Sequence, residues 1–174
     1  MKKKNIWIFI VIVAAACLAF YFWPRQIGYI KIDASGATAT LQLRGGLFSK
    51  KTVTSGAQSA AVRAGSHDPQ RLYLRGEQNG DTWQIDSRGP WGKLARIKVK
   101  NKETTVLKLG PPLLIKPGVS SRGSQVLIDF SITGQAGERY GSVITKNGRR
   151  VSTPGVKIMD ETGNILAAGK FEYG

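Results

Sequence analysis

The sequence predicts an all-β fold behind an N-terminal transmembrane helix, with one or two small antiparallel β-sandwich modules on the far side of a membrane. Three observations predict it. Residues 6–23, IWIFIVIVAAACLAFYFW, form an uncharged apolar run. Beyond Pro24 the apolar residues recur with a period of two, which is the strand signature. Turn residues punctuate the same region, and no stretch of it carries a convincing helical period.

The apolar run comes first. Eighteen residues at helical rise cover roughly 27 Å, close to the ~30 Å hydrocarbon core of a bilayer. Ten of them are Ile, Val, Leu or Phe, which together favour insertion by roughly 3 to 6 kcal/mol. Trp7 lies near one end and Tyr21 and Trp23 near the other, where amphipathic rings prefer the headgroup level. Pro24 stops the helix. Lys2, Lys3 and Lys4 precede the run and a lone Arg25 follows it, so the positive-inside rule keeps the N-terminus cytoplasmic. The expected organisation is a cytoplasmic tail (1–5), a signal anchor (6–23), a β-sandwich module (28–110) and a second β module (111–174). The expected location is the cytoplasmic membrane, single-pass, with the domain outside. Two other fates stay open. AAAC at Ala14 to Cys17 resembles a bacterial lipobox with Cys17 as the lipidated residue, and Ala14-Ala15-Ala16 offers a cleavage site that would release the chain.

The strands follow in order. Ile30 and Ile32 alternate in GYIKID, and Leu41 and Leu43 in TLQLR, before Gly45-Gly46 breaks the run. Val53 and Val62 mark two weaker strands, and Ser66 to Gln70 reads as a polar turn. Leu72 and Leu74 on one side of Asn79-Gly80, with Trp83 and Ile85 on the other, predict a hairpin about a left-handed turn. Leu94 to Lys100 and Thr104 to Leu109 predict a second, around Asn101-Lys102-Glu103. Gly110-Pro111-Pro112 and Pro117-Gly118 interrupt the pattern and mark the module boundary, because proline removes ladder donors. Val126, Ile128, Phe130 and Ile132 then alternate, Asn147-Gly148 makes another hairpin turn, and Asp160 to Asn164 turns between Val156–Ile158 and a last strand running from Ile165 to Tyr173.

Composition limits the chemistry. The only cysteine is in the anchor, so the exported part has neither a disulfide nor a thiolate metal site. Twenty-three Lys and Arg but only eleven acids follow the anchor, and such a surplus favours anionic partners. Arg96, Lys98 and Lys100 alternate with Ala95, Ile97 and Val99 and so project to one face, with Lys102 close by. Each cation near an anionic membrane surface contributes on the order of 1 kcal/mol. The competing reading is a guard against edge pairing, a common use of lysine on strands. Trp91, between Pro90 and Gly92, is the aromatic expected to be exposed for stacking, whereas Trp83 alternates with Ile85 and is expected in the core. His67, the only histidine, lacks the partners that a metal or a general base needs, and reads as a solvated turn residue. Asp129, Glu138, Asp160 and Glu161 are scattered, and glycoside hydrolysis would need two of them facing each other across a cleft.

Two resemblances can be named. GYIKID together with LARIKVKNKETTVLKL resembles small prealbumin-like or PEGA-like surface modules, with Ala34-Ser35-Gly36 where those carry a Pro-Gly turn. GPPL at Gly110 to Leu113, GQAGERY at Gly134 to Tyr140 and VKIMDETGNILAAGKFEYG at Val156 to Gly174 resemble uncharacterised bacterial exported β proteins. These share a GPP linker and end in a Phe-x-Tyr-Gly strand. The second resemblance implies architecture and compartment and brings no activity with it.

The expected function is therefore non-enzymatic: binding or structural work outside the cytoplasm, in contact with an anionic envelope polymer, lipid headgroups or an envelope protein. The terminal strand Lys170 to Gly174 offers an edge for strand pairing. Nucleic acid is disfavoured as a partner, and no cofactor is expected. The alternative, from another class, is a carbohydrate-binding module or wall-polymer hydrolase.

Overall fold

A computed structural model describes residue 13 and residues 26–45, 50–123, 125–141 and 143–171. The expected anchor (Val13 aside) with Cys17, the Gly46 of the first break, and residues 172–174 of the expected terminal strand lie outside the described residues. Among the described residues no helix is long and apolar enough to cross a membrane. The fold is all-β with several sheets.

β1 (Ile27–Asp33) and β2 (Thr38–Arg44) carry the alternation read from the sequence. Ile30 and Ile32 are buried on β1, and Ala39, Leu41 and Leu43 on β2. β3 (Lys50–Thr54) buries Val53 and β4 (Ala60–Arg63) buries Val62. β5 (Gly65–His67) and β6 (Pro69–Gln78) occupy the segment expected to be a polar turn; only Asp68 separates the two strands. β6 and β7 (Asp81–Ser87) form the expected hairpin, with Gln78 opposite Asp81 and both Asn79 and Gly80 at positive φ, as a tight two-residue turn requires.

The next expected hairpin does not form. Gly92–Ala95 is a short 3-10 turn, followed by β8 (Ile97–Val99), which pairs with β5. β9 (Thr104–Lys108) pairs instead with β1, and in parallel, with Ile30 opposite Thr105. The 100–103 turn thus crosses between sheets, and the architecture is not purely antiparallel. Ile97 and Val99 point into the core from one side of that crossing and Leu107 from the other. The apolar alternation is the same whether the two strands face each other or face a third.

β1 lies between β4 and β9 in one sheet. A six-stranded sheet runs in the order β14 (Arg149–Arg150), β13 (Thr145–Lys146), β7, β6, β2, β3, and so takes strands from both sides of the Gly110–Pro112 linker. The buried faces meet in one core around Ile30, Leu41, Leu43, Leu72 and Leu109, all fully enclosed. Each such side chain contributes roughly 1.5 to 3 kcal/mol. β13 is fastened to β7 through Lys146, whose Nζ is 2.7 Å from Asp81 Oδ2, and through Asn147, whose Nδ2 donates to Asp81 Oδ1 at 2.8 Å. These partners hold the Asp81 carboxyl below its ordinary pKa, Lys146 foremost.

β10 (Leu114–Arg122), β11 (Gln125–Thr133) and β12 (Arg139–Tyr140) form a third sheet. Pro117, expected to break the pattern, lies inside β10, the edge strand, where a missing donor is tolerated. Along β11 only Ile132 is buried; Ile128 and Phe130 are half-buried and Val126 is exposed. β15 (Gly155–Met159) and β16 (Ile165–Lys170) make a separate hairpin. Asp160 closes it, its Oδ1 accepting from Thr162 N–H, Thr162 Oγ1 and Asn164 N–H.

Candidate functional site

Three places bring chemically distinctive side chains together. The first is the end of the molecule where β1 begins. The Gln26 carbonyl accepts from the Ala64 N–H at 2.8 Å, and the Ile27 carbonyl from the Lys102 N–H at 2.7 Å. Ile27 is also opposite Arg63 in the β1–β4 ladder. Gly28 lies so close to β8 that a Cβ there would overlap the Lys100 carbonyl oxygen. Arg63, Lys100 and Lys102 therefore surround the residues from which the chain leads back toward the apolar run. Arg96, Lys98, Lys100 and Lys102 are all exposed, as expected. Lys98 and Lys100 alternate with buried Ile97 and Val99, and Lys102 occupies the turn at positive φ. Arg63 was not foreseen, because only the β1–β4 pairing brings it there.

The second place is a groove of about 980 Å³. Its floor is the side of β6 and β7 turned away from the core, with Arg71, Asp86 and Arg88. One wall is β11 from Val126 to Phe130, and the hairpin end at Val156, Lys170 and Phe171 forms the other. Arg71 Nη2 lies 2.9 Å from Asp86 Oδ2, and its guanidinium carbon 4.5 Å from the centroid of the Tyr73 ring. Arg88 reaches the same carboxylate only at 3.8 Å. Phe130 and Phe171 meet edge to face with centroids 4.8 Å apart. Four cations, Arg71, Arg88, Arg139 and Lys170, line the groove against two acids, Asp86 and Asp129. Nothing in the local sequence marks these cations; they converge only through the packing of three hairpins.

The third is a buried knot around Glu138, which is fully enclosed. Oε1 accepts from the Gly110 N–H at 2.7 Å and from the Tyr140 hydroxyl at 2.9 Å, and Oε2 from the Ala136 N–H at 2.9 Å. Burial, reinforced by the adjacent Glu138 charge, pushes the Tyr140 phenol above its ordinary pKa. The donors hold the glutamate in the core, out of reach of a substrate.

The remaining candidates separate. Trp91 is half-buried and packs against the core cluster, which differs from the expectation of an exposed stacking ring; its indole lies over Gly89, where a Cβ would stand 3.1 Å from Nε1. Trp83, expected in the core, is equally half-buried but lies outside the core cluster, with Lys146 Nζ 5.4 Å from its ring centroid. His67 is half-buried, and its Nε2 bonds the Arg63 carbonyl at 2.6 Å, so it pins β5 to β4 and is not a solvated turn residue. Among the described residues no group of three or more His, Cys, Asp and Glu is placed to hold a metal ion. Asp160 is committed to its own turn and Glu161 is exposed beside it. The Asp129 carboxylate fills the space over Gly118.

No protein-family model matches the chain, and neither does any curated protein or solved structure.

Proposed function

We propose that the chain is a bilayer-tethered β protein of sandwich type, working outside the cytoplasm in a non-enzymatic binding or structural role. Residues 6–23 anchor it, and its strand domain contacts anionic headgroups of the same membrane. One observation carries this reading: the cations Arg63, Lys100 and Lys102 cluster where Gln26 and Ile27 are fixed. Pro24 to Gln26 are all that separate Trp23 from β1, and three residues reach at most ~11 Å. That reach is comparable to the ~8 Å Debye length at physiological salt, so these cations feel the surface potential of the leaflet. At about 1 kcal/mol each near an anionic surface, these three, of which Lys100 also lies 3.3 Å from Glu103 Oε2, orient a domain that the anchor alone would leave free to tumble.

The test uses the full chain in nanodiscs of phosphatidylcholine, with and without phosphatidylglycerol. Amide exchange over residues 98–104 is expected to slow in the anionic discs, to recover at high salt, and to be insensitive to lipid in a Lys98→Ser, Lys100→Ser, Lys102→Ser variant. Equal exchange in both kinds of disc would sink the headgroup contact. Release of the chain by alkaline wash would sink the anchor.

A further inference from the structure

We propose that the groove beside β11 is a strand-addition site for an extended, acidic segment of another protein. β11 is paired with β10 along its whole length, from Gln125 to Thr133. On its other side, among the described residues, β12 pairs with Ile132 and Thr133 and no further. The Gly134 N–H bonds the Glu138 carbonyl across that same side. Backbone groups alternate in direction along a strand, so those of Phe130, Ile128 and Val126 face the same way as those of Gly134 and Ile132. Beyond the end of β12 they open into the groove. The groove is accordingly lined by five consecutive residues, Val126 to Phe130, as happens alongside a strand edge; one face of a strand would contribute only alternate residues.

This edge selects the class of occupant. N–H and C=O groups that no backbone among the described residues pairs, set beside an apolar wall, are matched by another backbone, and hydrocarbon cannot satisfy them. Three outward residues span roughly 14 Å between the first and the last. An added strand would set its side chains against Val126, Ile128 and Phe130 at cross-strand distance, which calls for apolar residues at alternate positions. Charge completes the description. Asp86 is held by Arg71 at 2.9 Å, while no acid among the described residues pairs with Arg139 or Lys170. The groove therefore favours acids between the apolar residues. This inference uses a different part of the molecule from the headgroup contact and does not depend on it.

The experiment pans the full chain, held in phosphatidylcholine nanodiscs, against a display library of random ten-residue peptides. Enriched peptides are expected to alternate apolar and acidic residues and to slow amide exchange at Val126, Ile128 and Phe130 at least tenfold. Methylating alternate backbone nitrogens of the peptide should abolish that protection. An Arg139→Glu, Lys170→Glu variant should bind at least tenfold more weakly with its melting temperature unchanged. The proposal is overturned if no peptide is enriched, if the methylated peptide protects equally, or if the charge variant binds as well. Protection that appears in phosphatidylglycerol discs without peptide would assign the groove to lipid, and protection that rises with protein concentration would assign it to a second copy; either result also overturns it.

Discussion

Glu138 Oε1 lies 2.7 Å from the amide nitrogen of Gly110, across 28 residues of sequence. That bond ties the end of the Gly110–Pro112 linker to the turn between β11 and β12. The same carboxylate holds Ala136 and Tyr140. Glu138→Ala would leave three buried donors without an acceptor, at about 1 to 3 kcal/mol each before relaxation. The expected loss is about 3 to 5 kcal/mol in chemical denaturation. Glu138→Gln retains one acceptor but aims an NH₂ at a donor, and should lose about 1 to 3 kcal/mol. An alanine variant as stable as the parent would show that the knot contributes nothing.

Tyr140 gives this region an alkaline limit. Its folded pKa is raised above the ordinary value of 10.0 by burial, with Glu138 adding to the effect. The folded state thus keeps a proton that the unfolded chain loses above pH 10. Stability is full below that pH and falls as pH climbs further. Tyr140→Phe should remove this part of the alkaline slope while costing about 1 kcal/mol at neutral pH. Parallel stability–pH curves for the two proteins above pH 10 would contradict the assignment.

At the other end of the scale, Asp160 is held at a pKa of about 2 by its bonds to Asn164 and Thr162. A depressed carboxyl stabilises the fold above its unfolded pKa and loses that effect as pH falls through the folded one. The β15–β16 turn should therefore loosen between about pH 4 and pH 2. Amide exchange at Thr162 and Asn164, corrected for intrinsic rates, should accelerate over that window. Asp160→Ala should show the faster exchange already at neutral pH.

Gly28 is where β1 and β8 meet. Its φ is ordinary, so space alone demands a glycine: a Cβ would overlap the Lys100 carbonyl oxygen and crowd Val99 Cγ1. Gly28→Ala must push β8 outward, and should cost about 1 to 3 kcal/mol. Exchange at Val99 to Lys102 should rise with it. Unchanged stability would mean that the seam yields freely.

Local signals were legible wherever the chemistry is local. Asn79-Gly80 and Asn147-Gly148 announced their turns because few residue pairs accept positive φ at both positions. Ile30, Ile32, Leu41 and Leu43 announced their faces because burial on one side imposes a period of two. Pairing partners were not legible in the same way. The alternation of β8 and β9 is equally consistent with a hairpin and with two strands in different sheets, and only the rest of the core decides. Lys98, Lys100 and Lys102 could be identified as an exposed basic group, while their nearness to Gln26 depends on the β1–β9 pairing. Glu138 carried no signal at all, since its donors come from a linker, a loop and a tyrosine that folding assembles.

The parallel ladder between β1 and β9 sets a timetable. Ile30 meets Thr105, so at ribosomal rates of about 5 to 20 residues per second the first strand waits roughly 4 to 15 s for one of its two neighbours to be synthesised. Throughout that interval a row of unmet amides and carbonyls stands open on a nascent chain, inviting the wrong strand. The chain thus has its greatest need of a chaperone early, before residue 108 has emerged, and a truncation ending short of β9 should aggregate more readily than the full chain.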